Sequence, residues 1–189
     1  MQPFLFYLCR MMKKLIFILL MFLSILSGCK KAETIPTSGT DTIDNTVYQD
    51  ATTYYALGFS FKQAKKISNL ADPGPDITLY VNQDNSASTR LTLMVNSFKP
   101  SYYKIGDFPN EATSIAAFNN LKTVGTYQWV DMADPIIANQ VWLYRTGRDQ
   151  YAKFRIVSTK NEIRNGKPFG ECTFQWVFQA DGSSTFPGK

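Results

Sequence analysis

QYAKFRIVS (150–158) and ECTFQWVFQ (171–179) decide the fold. In the first, Ala152, Phe154 and Ile156 share one side, opposite Tyr151, Lys153 and Arg155. In the second, Cys172, Phe174, Trp176 and Phe178 line a single side. A period of two with large apolar groups on one side predicts strands that cover a core. Working outward, QVWLYRT (140–146) predicts a strand that turns through Gly147, Arg148 and Asp149 into the first stretch. Asp181-Gly182 predicts a hairpin-type turn into a last strand at Ser184, Thr185 and Phe186. Upstream, TYQWVDM (126–132) predicts a strand running into the Pro135-containing loop 133–139.

The earlier part of the chain follows the same logic. TYYALGFSF (53–61) predicts an aromatic strand with a bulge at Gly58, and ITLYV (77–81) follows the turn cluster at 71–76. Residues 89–97 alternate cleanly, with Leu91, Leu93 and Val95 against Arg90, Thr92, Met94 and Asn96. A methionine on the polar side is unusual. The polar runs 82–88 and 159–170 predict loops. One helix is expected over NEATSIAAFNNLKTV (110–124), with a stripe of Ile115, Phe118 and Leu121 and Gly125 as its terminator. The expected class is mainly β: a single antiparallel, sandwich-like domain with one short helix.

Ahead of that domain, the sequence predicts an address. Leu26-Ser27-Gly28-Cys29 closes the apolar run Leu15–Leu26 and is similar to the lipobox of bacterial lipoproteins. Twelve apolar residues are short for a membrane span and suit a signal peptide, with Met11 or Met12 as the start and Lys13 and Lys14 as its basic end. The expectation is a signal peptide over 1–28, a lipidated Cys29 and a flexible tether over 29–49, and the β domain over 50–189. A diacylated Cys29 buries long chains at ~0.8 kcal/mol per methylene, which makes a stable membrane anchor at the cell envelope, expected at the outer membrane. KKAETIPTSGTDTIDN (30–45) shows no apolar periodicity, as a tether would.

Composition narrows the chemistry further. Of 20 basic residues, 17 lie after Gly28 against 15 acidic ones. The basicity is therefore mostly targeting signal, and nucleic acid is not an expected partner. There is no histidine, so the commonest general base and the commonest transition-metal ligand are both missing. With Cys9 removed and Cys29 lipidated, Cys172 stands alone and is expected in the core. The chain has no GxSxG, no phosphate loop and no Cys-His pair, and no enzyme is expected. The nearest approach to a catalytic carboxylate pair is Asp131 with Asp134, which flank a loop as turn formers do.

VWLYRTGRDQYAKFRIVS (141–158) and GECTFQWVFQADGSSTFPG (170–188) together resemble the C-terminal half of the HmuY-type haem-binding lipoproteins. The resemblance lies in Arg145-Thr146 at a strand end, the Tyr151-Ala152-Lys153 strand, Gln179-Ala180-Asp181-Gly182-Ser183 and the closing Phe186. It implies a mostly-β envelope lipoprotein that takes up haem for an outer-membrane transporter. Family members hold haem iron axially through two His or two Met. The first is excluded here, Tyr is a second ligand type with many candidates, and Met94 and Met132 are the only methionines after Cys29. They are the candidate axial ligands, chemically sound as thioethers, set against ordinary gap-filling roles.

A reading from a different class competes with this one. The domain would instead be a glycan- or protein-binding, or purely structural, lipoprotein with no small ligand. Tyr102, Tyr103, Tyr127 and Trp129 would then serve for stacking, although strand aromatics are usually core.

Overall fold

A computed structural model describes residues 34–85, 88–95 and 99–187. The signal segment, Cys29 and the start of the tether lie outside the described residues. No described helix is long and apolar enough to cross a membrane.

The domain is mainly β, as the alternation predicts. Five strands form the main antiparallel sheet in the order β1 (Ser38–Asp44), β11 (Lys167–Gln179), β10 (Tyr151–Arg164), β9 (Gln140–Arg145) and β7 (Tyr102–Asp107). Two smaller sheets complete it: β2 (Val47–Asp50), β3 (Thr53–Ser60) and β4 (Lys65–Ser68), and β5 (Thr78–Asn85), β6 (Ser88–Met94) and β8 (Met132–Ala133). Single bridges join them, Phe59 to Ile77 and Tyr102 to Val130. The helix among the described residues, α1 (Glu111–Asn120), packs against β9 and β10.

The inner faces make one core. Phe154, Ile156, Cys172, Phe174, Trp176 and Phe178 from β10 and β11 meet Phe59, Phe61, Ile77, Leu79 and Leu93 from across the sandwich. Phe59 and Phe61 sit against the rings of Phe174 and Trp176 at centroid distances of 5.3–6.4 Å. Each such side chain contributes roughly 1.5–3 kcal/mol by leaving water. Gly58 is not a bulge but a close approach. A Cβ there would lie 2.5 Å from the Ile77 carbonyl oxygen and 2.6 Å from Thr78 Oγ1, so no side chain fits.

This dry interior favours neutral forms. Burial raises the Asp76 carboxyl to about 6, although it accepts from the Phe61 and Lys62 amides and the Ser60 and Tyr144 hydroxyls. Burial likewise raises Tyr102 and Tyr144, and pushes the Cys172 thiol up to about 12. Cys172 is a core residue, as expected.

The outer face of the main sheet differs. Lys153 and Arg155, each 4% exposed, lie under α1. Lys153 Nζ donates to the Phe118 and Leu121 carbonyls at 2.8 Å each, where the helix ends, and lies over the Phe118 and Phe186 rings. Arg155 reaches the other end, at 3.4 Å from Ser114 Oγ and 3.5 Å from the Glu111 carboxylate. The Asn110 side chain caps the first turn by accepting from the Thr113 amide at 3.0 Å.

Several expectations need correction. The stretch expected as tether contains strands β1 and β2, so the folded unit begins at Ile35 rather than near residue 50. β1 is an edge strand that buries only Ile43, and its hold comes from the ladder with β11 and the Trp176-to-Asp41 bond of 3.1 Å. No apolar period was needed. The polar run after Ser158 is not a loop: β10 and β11 extend as a ribbon to a turn at Asn165-Gly166, both at positive φ. Likewise β5 and β6 run through most of 82–88. The helix stops at Asn120, before Gly125, because Lys153 and the bonds Phe186-to-Lys122 and Val124-to-Ser184 take over its end. Residues 126–129 form no strand, and Ser184–Phe186 contributes only the Thr123–Thr185 bridge.

Candidate functional site

Met94 and Met132 stand 38 positions apart in the chain, yet they are direct partners in the β6–β8 ladder. Their neighbours Leu93 and Ala133, also paired, are fully buried on the opposite side. Alternation therefore turns both methionines to the outer side of this sheet. Met94 is half-buried and Met132 is 43% exposed. Directly opposed residues of an antiparallel pair lie about 4.5–5.5 Å apart at Cα, close enough for two thioethers to converge on one bound atom.

The surroundings are built rather than accidental. On the same face, Asn82 donates to Thr92 Oγ1 at 2.8 Å, and Thr92 donates to Asp134 at 2.6 Å. Arg90 Nε lies 3.2 Å from the same carboxylate. This chain of bonds fixes the segment that follows β8, and the Ile136 amide seals it by donating to the Leu91 carbonyl. Tyr80, 40% exposed, pairs with Thr92 and adds an aromatic ring to the face. Asp134 is thus committed to Thr92 and Arg90 while Asp131 is exposed, so the carboxylate pair noted in the sequence forms no joint site.

The aromatic candidates divide. Tyr102 is fully buried in the sandwich and its hydroxyl has no partner among the described residues, so it does not serve for stacking. Tyr103 and Tyr127 stack at 4.0 Å, Tyr127 meets Trp129 edge-on at 6.1 Å, and Trp129 stacks on Tyr151 at 6.2 Å. The four half-buried rings form a continuous row on the outer face of the main sheet, with the Arg145 guanidinium 4.9 Å above Trp129. The place of Tyr151 in that row went unread in the sequence. Its outward position opposite Ala152, Phe154 and Ile156 was the available signal.

The basic residues of the 160s belong to the β10–β11 ribbon. Glu162 pairs with Lys160 and Arg164, and Arg164 lies on the Phe169 ring. No known family model matches the chain, and no curated protein matches it either.

Proposed function

We propose that the protein is a lipid-anchored envelope lipoprotein whose β domain binds a ligand, with haem held through Met94 and Met132. The observation that carries this reading is the register pairing of those two residues. The donor set suits the group: two neutral thioethers, one of them well exposed, on a face whose polar groups are already mutually satisfied. Thioether ligation of haem iron is known chemistry and raises its reduction potential. Met94 and Met132 would hold the iron through their thioether sulfurs, and Arg90 with Asp134 would hold the strands that carry them. Delivery to an outer-membrane transporter is the role that such a lipoprotein would play.

Haemin added to the soluble 30–189 fragment should give a shifted Soret band, and Met94→Ala or Met132→Ala should weaken it. An unchanged spectrum at micromolar haemin rules haem out. The anchor has its own test. Mass spectrometry of the native protein should find an acylated Cys29 at the amino end, and a retained leader would sink it.

The aromatic row favours a second reading, a glycan-binding module. Four contiguous half-exposed rings with a cation over one of them form a surface on which sugar rings could stack. Oligosaccharide binding lost in Trp129→Ala but kept in Met132→Ala would select it.

A further inference from the structure

At the end of the sandwich that carries the β9–β10 turn, a cleft of about 370 Å³ opens between that turn and the segments 60–63 and 73–76. Its size falls within the range of small-molecule sites. Pro73, Pro75, Val95 and Tyr144 give it apolar walls. Lys62 and Arg148 stand at it from opposite segments, both exposed, and neither is in an ion pair among the described residues. The third ionisable group of the lining besides Tyr144 is Asp76, whose carboxyl is turned onto the facing 60–62 segment. It accepts from the Phe61 amide at 2.8 Å and from the Lys62 amide, Ser60 and Tyr144. That leaves cations outnumbering the anion, with the anion's lone pairs engaged.

We propose that this cleft binds a small organic anion: a ring-sized body seated between the prolines and Tyr144, its carboxylate or phosphate met by Lys62 and Arg148. The two cations come from separate segments of the same lining, and the acidic group would draw on both. The apolar walls would discriminate a ring-bearing anion from a bare inorganic one, and the cations would discriminate it from a neutral sugar. This site does not depend on the methionine pair. Val95 follows Met94 directly, and alternation turns its side chain to the other side of the strand.

The test uses the folded 30–189 fragment and amide NMR with four probes: glucuronate, benzoate, glucose and inorganic phosphate. Glucuronate or benzoate should shift the amides of Gly74, Gly147 and Arg148 saturably. Affinity should fall about tenfold or more in the Lys62→Gln/Arg148→Gln double variant, a loss of about 1.4 kcal/mol. These residues are exposed, so the fold should be kept, and an unchanged amide spectrum of the free variant checks that. Met94→Ala/Met132→Ala should bind the anions normally, which separates this site from the haem reading. Equal binding of glucose would overturn the role of the cations, and equal binding of phosphate that of the walls. The absence of saturable shifts up to about 10 mM, or an unaffected double variant, would overturn the proposal whole.

Discussion

On the inner face of β10, Ala152, Phe154 and Ile156 join a cluster of buried apolar and aromatic groups; on the outer face, Lys153 and Arg155 are buried almost as deeply. The two sides treat charge in opposite ways. In the inner core desolvation wins: Asp76, Tyr102, Tyr144 and Cys172 at or within it are all pushed toward their neutral forms, Asp76 even with two amides and two hydroxyls donating to it. The outer layer has α1, whose terminal carbonyls accept from Lys153 and whose first turn supplies Glu111 and Ser114 to Arg155. Burial depth alone therefore says little about cost. What matters for a buried cation is whether the neighbouring backbone has unmet acceptors, as a helix end always does.

Substitutions can break this contrast or sharpen it. Phe154→Ala removes a fully buried ring and should cost about 3–5 kcal/mol in urea denaturation. A loss below 1 kcal/mol would mean that the inner layer is loosely packed. Asp76 should leave a signature in pH. Its carboxyl is raised from 3.8 to about 6, so the native state holds the proton more tightly than the unfolded chain. Its contribution is then most favourable below about pH 4, declines as pH rises to about 6, and is flat above. Asp76→Asn should thus look about 2 kcal/mol more favourable, relative to the native protein, at pH 7 than at pH 4. An offset that does not vary with pH would show that the core does not penalise this charge.

On the outer side, Lys153→Met keeps the stem but leaves the Phe118 and Leu121 carbonyls without this donor. It should cost about 1–3 kcal/mol and speed hydrogen exchange in α1 more than in β10. A neutral result would say that the helix needs no cation beneath it. Asn110→Ala should cost about 1 kcal/mol through the lost cap. Glu111→Gln should cost less than about 0.5 kcal/mol, since that carboxylate is mostly exposed and lies 3.5 Å from Arg155.

The same contrast marks what could be read in advance. Inward positions of β10 and β11 were legible because a dry face needs large apolar side chains at every second place, and Cys172 to Phe178 supply them without interruption. The outer face was not, because Lys153 and Arg155 spell a solvent-facing pattern while in fact supporting a helix. Strand β1 escaped for a related reason. An edge strand answers to hydrogen bonds with its partner, and Ser38–Asp44 needs only Ile43 to reach the core. The ribbon beyond Ser158 did carry a signal, since Asn165-Gly166 is a strong hairpin dipeptide, but its polar flanks masked it. Of the candidate site, Met94 stood out by its place on a polar face. That Met132 would be its partner depended on β8, a two-residue strand that no periodicity announces.

β1 enters the sheet beside Val177 and runs toward Glu171, while the ribbon turn at Asn165-Gly166 lies beyond Glu171 at the opposite extreme of β11. Traction on the amino-terminal segment, resisted by anything gripping that distant turn, would act along the strand axis. All seven rungs from Ser38 to Asp44 would then strain together rather than peel one after another. A body joined in this way should yield abruptly under shear and hardly stretch before it does.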